Sequence, residues 1–537
     1  MYKLTDDYLS NASVFENADV SLPTFDQAAV AKNTDANPVW VHFGGGNLFR
    51  CFHAKIAQDL LNAGEMKSGI TVAETYDDGV ISEAYQPYNN RILQVVMDEE
   101  GNYDKTLIAS IVDAIYYNRE QPEGWEKLKN IFQNPSLQFV TMSITEKGYS
   151  LRDFDGKLTK AAQADIDRSP ETAQTNMGAI ARLLLARYNS GKLPIAMVST
   201  DNFSENGQRF QEGILTIAEG WAENGIVDKG FIDYLKDPNQ VSFPWSMIDR
   251  ITPNPAESVA NILADSGFAD TNIIHTPKNT AIAPFGNTEE THYLVIEDSF
   301  PNGRPALEKA GVIMTDRATV NDADQMKVTA CLNPLHTGLA IFGSLLGYTS
   351  IADEMTNSDL VALVKQLGYN EDLPVVKDPK IINPKAFIDE VINKRLPNKN
   401  IPDTPQRIAS DTSQKLPIRY GVTLQHYLDQ GKDASQLRAI PLIIAGWCRF
   451  LMAIKDDGTA FEPSRDPLLA ELQPYVADIK LGDKVDAHAV LQPILTNTQI
   501  FPTDLSAVGL TDSIEKSFTK MISKPGAVSQ TLHDTLN

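Results

Sequence analysis

The apolar positions of this chain change their period part-way along it. Over roughly the first 300 residues, short β-rich runs alternate with stretches whose apolar residues recur at helical spacing. Val39–Phe43 leads through three glycines into Phe52, Ile56, Leu60 and Leu61, which lie on one face of a helix. Further runs at Gly69–Ala73, Gln138–Ile144, Leu193–Ser199, Asn272–His275 and Thr291–Phe300 predict strands. Phe243–Pro255 reads as a proline-punctuated loop that opens into a helix from Glu257. Strands alternating with helices predict a parallel sheet. After the PNGRP turn at 301–305 the pattern becomes helical, with long periodic stretches at Asp322–Leu346, Asp359–Leu367 and Gln436–Ala453. The prediction is an α/β chain in two parts, a parallel-sheet domain over 1–310 and a mostly α-helical domain over 311–537.

Composition narrows the chemistry. A chain of 537 residues is too long for one core and carries 47 basic against 70 acidic side chains, a formal charge of -23. That field repels polyphosphates and anionic membrane surfaces, so neither nucleic acid nor membrane is an expected partner. A small anionic substrate remains compatible, because a few Arg and Lys gathered in a cleft reverse the field locally. Cys51, Cys331 and Cys448 are too scattered for a disulfide framework or a metal-ligand spacing, which predicts a reducing, cytoplasmic setting and no metal. The opening MYKLTDDYLS has no apolar targeting core. The longest apolar run, Ala439–Ile454, contains Pro441 and Arg449 and reads as a buried helix. The expected partner is a small molecule, and the chain is expected to be a monomer or small homo-oligomer.

Three constellations could carry chemistry. In Gly44-Gly45-Gly46-Asn47-Leu48-Phe49, Gly44 and Gly46 fit the first two places of a G-x-G-x-x turn, while Phe49 replaces the third Rossmann glycine. Such a turn allows a sharp strand-to-helix reversal and lets backbone approach a pyrophosphate, although glycine turns also arise from packing alone. Glu74 ends the next strand, where an acid accepts bonds from the adenosine ribose and disfavours a 2′-phosphate; Asp77 and Asp78 compete for that place. In Lys327–His336, Asn333 and His336 share a helix face, whereas an ideal helix turns Lys327 about 120° away from Asn333. A kink or bulge, for example near Pro334, would be needed to join them. Arg407, Lys415 and Arg419 gather three cations in thirteen residues, suited either to holding substrate oxygens or to pairing with Asp403 and Asp411.

Taken in order, FGGGNLFR, TEKGY (145–149), STDNFSENG (199–207), FPWSMIDRITP (243–253), KVTACLNPLHT (327–337) and RIASDTSQKLPIRYG (407–421) resemble the long-chain mannitol dehydrogenase family. Within it they are most similar to the branch that interconverts D-fructuronate and D-mannonate. The resemblance spans nearly the whole chain. It implies a Rossmann-type N-terminal domain, a helical C-terminal domain, an active site between them, NAD as cofactor and no metal. It further implies that Lys327 is the catalytic acid/base, that Asn202 and Asn333 bind the reacting oxygen and that His336 orients substrate or lysine. Asp249, Arg407 and Lys415 would surround the substrate, and Gly44, Gly46, Asn47, Leu48 and Glu74 would hold the cofactor.

Polyol-oxidising members place the lysine five residues before the asparagine, whereas Lys327 stands six before Asn333. The extra residue is either a feature of the sugar-acid branch or a π-type bulge. Other activities within the family's reach are mannitol 2-dehydrogenation and tagaturonate reduction. Outside it stand a zinc-dependent polyol dehydrogenase, which the dispersed cysteines disfavour, and a non-catalytic NAD-binding regulator, which has no need of a proton donor.

Overall fold

A computed structural model describes residues 1–118, 121–153 and 155–537, which form two compact units. The first comprises Met1–Met97 and Gly101–Asn321, the second Asp98–Glu100 and Asp322–Asn537.

At the heart of the first unit six strands run parallel: β1 (Trp40–Phe43), β2 (Ile70–Glu74), β3 (Ile111–Tyr116), β4 (Phe139–Met142), β5 (Ile195–Ser199) and β6 (Val241–Ser242). Their order across the sheet is β3-β2-β1-β4-β5-β6. Every residue of β1, β2, β4 and β5 is buried, as expected of strands whose two faces are both covered by helices. This is the doubly wound Rossmann arrangement. Its strand order reverses between β1 and β4, so loops from their carboxyl ends leave a crevice there. The expected α/β class with a parallel sheet is therefore the observed one.

Polar groups in this core are matched in detail. The Thr141 hydroxyl accepts the Trp40 indole N–H at 2.7 Å and is hydrogen-bonded to Nδ1 of His42, also at 2.7 Å. His53 Nε2 lies 2.9 Å from the Thr200 hydroxyl. Burial drives the pKa of His42 well down and that of His53 to about 3. Both imidazoles are neutral in the folded chain at pH 7.

Several expected elements take a different form. The Phe243–Pro255 loop contains a strand, Ser246–Asp249, paired antiparallel with Tyr293–Glu297. Its signal is hidden because four residues between prolines acquire strand geometry only through that partner. Of Asn272–His275 only Ile274–His275 is extended, in a small antiparallel ladder with Ala281–Ile282 outside the parallel sheet. Three unexpected strands, Ile92–Met97, Tyr103–Ile108 and Phe285–Glu289, join Val20–Ser21 in a separate four-stranded sheet.

The second unit is helical. Its apolar stretch is realised as Ala439–Phe450, with all twelve residues buried. The helix starts on an anion, since Glu371 accepts the N–H groups of Arg438, Ala439 and Ile440 at 2.6–2.9 Å. Among the described residues no helix is long and apolar enough to cross a membrane. The predicted continuous helix over Asp322–Leu346 is divided into Arg317–Met326, a π turn at Lys327–Cys331 and a new helix at Asn333–Leu346. Leu332, at φ −127° and ψ −62°, breaks the run. Pro334 is the reason: in an unbroken helix its ring would strike the carbonyl of Ala330, whereas in a first turn its missing N–H costs nothing.

The depressed histidines predict acid sensitivity. Below the unfolded histidine pKa of about 6.5 the unfolded chain takes up protons that folded His42 and His53 refuse, so stability is lost as pH falls. Unfolding free energy should drop by up to about 1.4 kcal/mol per pH unit for each histidine between about pH 6.5 and 4. Urea unfolding over that range checks it, with His53→Gln giving a shallower slope and a flat wild-type profile contradicting the assignment.

Candidate active site

The glycine turn leaves β1 at the sheet's reversal point. Gly44 has φ +109°, and a Cβ there would stand 2.2 Å from the Ser143 carbonyl oxygen, so only glycine can make this reversal. A Cβ on Gly46 would meet nothing within 4 Å. The helix begins immediately after it, and Asn47 Oδ1 is buried without a hydrogen bond. An open glycine and a helix start together suit a dinucleotide pyrophosphate. The turn is braced from below by the Tyr85 hydroxyl, which donates to the Gly45 carbonyl at 2.7 Å, and by Arg50, whose guanidinium lies 5.2 Å from the Tyr85 ring centroid.

Glu74 stands at the end of β2 with its carboxylate turned onto backbone. Oε2 accepts from Gly45 N at 2.8 Å, and Oε1 from the amides of Thr75, Tyr76 and Asp77 at 3.0, 2.8 and 3.3 Å. Asp77 is buried as the cap of helix Asp78–Ala84 and accepts the Thr276 and Thr280 hydroxyls at 2.6 and 2.5 Å, while Asp78 is exposed. Beside the ends of β2 and β3 opens a cleft of about 350 Å³, lined by Thr75, Tyr117, Asn118, Thr175, Asn176 and Arg182, within the size range of small-ligand sites.

At the ends of β4 and β5 one carboxylate ties two motifs together. Asp201 accepts the Ile144 and Thr145 amides at 2.9 and 2.8 Å and the Tyr149 hydroxyl at 2.7 Å. Asn206 joins this loop to the next motif, donating to the carbonyls of Asp201 and Ser246 and accepting from Ser246 N. Asn202 is thereby held at the carboxyl edge of β5 with its side chain exposed, and Asp249 ends its strand almost fully buried. Sequence reasoning missed the roles of Asp201, Tyr149 and Asn206, although all three lie within motifs already singled out.

In the second unit Lys327 opens the π turn, 1% exposed, with Nζ 3.8 Å from Asp324. Asn333 and His336 lie three residues apart on the restarted helix and are both partly exposed. His336 Nε2 is 3.7 Å from Asp403. Burial, reinforced by the charges of Arg395, Arg419 and Arg407 against the opposing pull of Asp403, lowers the His336 pKa to about 4, so the ring is neutral at pH 7. Arg395, on the π turn Val391–Arg395, belongs to no motif singled out in the sequence.

The cation segment is not one helix. It comprises Pro405–Ile408, Asp411 at φ +55°, Thr412–Leu416 and a π turn at Pro417–Gly421. Arg407 pairs with Asp403, and Lys415 Nζ donates to the carbonyls of Ile408, at 2.9 Å, and Ser410. Burial and the neighbouring arginines hold the Lys415 pKa down at about 8. Among the described residues no group of three His, Cys, Asp or Glu side chains is arranged to hold a metal.

Comparison with known proteins connects these pieces. Residues 39–309 match the mannitol dehydrogenase Rossmann domain, and residues 320–522 the mannitol dehydrogenase C-terminal domain. The chain belongs to the mannitol dehydrogenase family. It is 48% identical over 537 residues to the D-mannonate oxidoreductase of Thermotoga maritima, covering 99% of each chain. It is 27% identical to the Escherichia coli D-mannonate oxidoreductase, over 90% of this chain and 93% of that one. Its fold is similar to that of Pseudomonas fluorescens mannitol 2-dehydrogenase, solved with NAD and D-mannitol, at a TM-score of 0.69 and 24% identity over 96% of each chain. The protein is an oxidoreductase of this family, acting on CH–OH groups.

The four amides on Glu74 carry a consequence for stability. In Glu74→Gln one carboxylate oxygen becomes an NH₂ group that cannot accept, leaving at least one buried backbone N–H unpaired. Unfolding stability should fall by about 1–3 kcal/mol. Denaturant unfolding monitored by tryptophan fluorescence measures it, and an unchanged midpoint would mean that those amides do not depend on the carboxylate.

Proposed function

We propose that this protein interconverts D-fructuronate and D-mannonate by NAD-dependent hydride transfer with a lysine acid/base and without a metal. The observation that carries the reading is the 48% identity, across 99% of both chains, to a D-mannonate oxidoreductase. The concentration of positive charge around Asn333 and His336 in a chain of net charge -23 supports it. In this reading the domain over 1–310 carries the dinucleotide on Gly44, Gly46, Asn47 and Leu48, with Glu74 shaping the turn, and the domain over 311–537 carries the proton and substrate groups.

A bound NADH supplies the hydride for the keto carbon. The protein's own part is to stabilise the oxygen that becomes negative and to protonate it. The Asn333 amide, with Asn202 as a second donor, hydrogen-bonds that oxygen, and amides of this kind act on charge that develops only in the transition state. Lys327 Nζ delivers the proton and takes it back in the oxidation of mannonate. The neutral His336 orients the substrate by hydrogen bonding without competing as an acid. Asp249, Arg407 and Lys415 meet the sugar hydroxyls.

The deciding assay measures kcat/KM for fructuronate, tagaturonate and fructose with NADH and NADPH, and for mannonate and mannitol with NAD and NADP, each before and after dialysis against a chelator. Highest kcat/KM on fructuronate and mannonate with NADH and NAD, insensitive to chelation, is the expected result. Preference for fructose and mannitol would make the protein a mannitol 2-dehydrogenase instead, and tight NADH binding without turnover would make it a regulator. Lys327→Ala should lower kcat about 10²- to 10⁴-fold, the usual weight of a positioned acid/base. NADH binding, read by fluorescence, should change little, and added primary amines should restore part of the rate. Turnover near that of the unmodified protein would move the proton to another group.

A further inference from the structure

The cations near His336 differ in what already occupies them. Arg407 is paired with Asp403 and its side chain is 64% exposed. The ammonium of Lys415 closes the short helix Pro405–Ile408 by bonding the carbonyls of Ile408 and Ser410, and Asp411 and Asp466 add negative charge around it. Arg419 is placed otherwise. One edge of its guanidinium, Nη1, donates to the Asn333 carbonyl at 3.3 Å and to the Thr337 hydroxyl. No carboxylate among the described residues pairs with it; its charged and titratable neighbours are Tyr420, His336 and Lys415, none of them an acid that balances the cation. Partial burial without an acidic partner lowers its pKa to about 10, a sign that the cation is incompletely compensated.

Its position is also rigid. The π turn Pro417–Gly421 that carries Arg419 is fastened to the start of helix Asn333–Leu346 by the buried Tyr420 hydroxyl, which donates to the Pro334 carbonyl at 2.9 Å. Arg419 therefore keeps a fixed place against the same helical turn that presents Asn333 and His336. A guanidinium held along one edge, with Nε and Nη2 engaging no group of the described chain, is prearranged for a planar anion, because two parallel N–H groups match the two oxygens of a carboxylate.

We propose that Arg419 binds the carboxylate of the sugar acid and is the residue that selects a uronate over a neutral ketose. The assignment rests on the fructuronate reading above and adds to it the group that recognises the charge. Arg407 and Lys415, already engaged, serve the hydroxyl-bearing part of the substrate. The bound carboxylate supplies the counter-charge that Arg419 otherwise lacks.

The test compares kcat/KM for fructuronate and for fructose in the unmodified protein and in Arg419→Met, Arg419→Lys and Arg407→Met. The fructuronate-to-fructose ratio should fall about 10²-fold in Arg419→Met, mainly through KM for fructuronate, as loss of one or two charge-assisted bonds implies. Arg419→Lys should recover part of the ratio, and added guanidinium should raise fructuronate turnover by an Arg419→Ala variant. Arg407→Met should move the ratio much less. Equal losses on both substrates in Arg419→Met would overturn the proposal, showing only a structural role at Asn333. A larger change of ratio in Arg407→Met than in Arg419→Met would overturn it too. If the unmodified protein already prefers fructose, the fructuronate reading fails first and the proposal falls with it.

Discussion

The arrangement of the second unit depends on a helix that cannot run straight. Pro334 forbids an unbroken helix from Asp322 to Leu346, and the chain answers with a π turn over Lys327–Cys331 and a break at Leu332. The turn sends Lys327 inward to near-complete burial while the new helix presents Asn333 and His336 on a partly exposed face. It is secured from outside as well, since the Thr423 hydroxyl reaches the Thr329 carbonyl at 3.3 Å and Asp372 at 3.1 Å. A regular helix of this length would hold the lysine and the asparagine at a fixed, unfavourable rotation.

The first unit uses a different device for a similar purpose. Its functional loops leave the sheet at strand ends, where backbone N–H groups lose their ladder partners, and buried carboxylates collect those amides. Glu74 takes four and Asp201 two, together with a tyrosine hydroxyl. A buried carboxylate is costly alone, but several N–H donors offset its desolvation and fix the loop that supplies them. The acidic side chains nearest the glycine turn thus shape the backbone on which a cofactor would rest.

Electrostatics divide the chain at two scales. The net charge of -23 disfavours polyanions, while the charges of Arg395, Arg407 and Arg419 act on His336 and help keep that imidazole neutral. A site of this kind can admit one small anion and orient it in a protein whose overall field disfavours anions. Whether each cation is free to bind a ligand depends on its immediate partners, and those separate Arg419 from its neighbours.

Much of the fold was legible in the order of residues. Predominantly apolar runs without polar alternation at 40–43, 70–74, 139–142 and 195–199 announce central strands of a parallel sheet, because a strand covered on both faces has no solvent-facing side to show. Glycines 44 and 46 and the six ordered motifs are equally local properties, and with the strand pattern they determine the fold class and the family. Ser246–Asp249 and the four-stranded sheet were not legible, since their strands exist only through partners distant in sequence. The direction in which a charged side chain is spent was hidden for the same reason. Nothing local reveals that Glu74 faces four amides, that Lys415 closes a short helix or that Arg419 stands against Asn333 without an acid. Local pattern encodes what a residue can do, and only the three-dimensional neighbourhood decides which of its hydrogen bonds are already made.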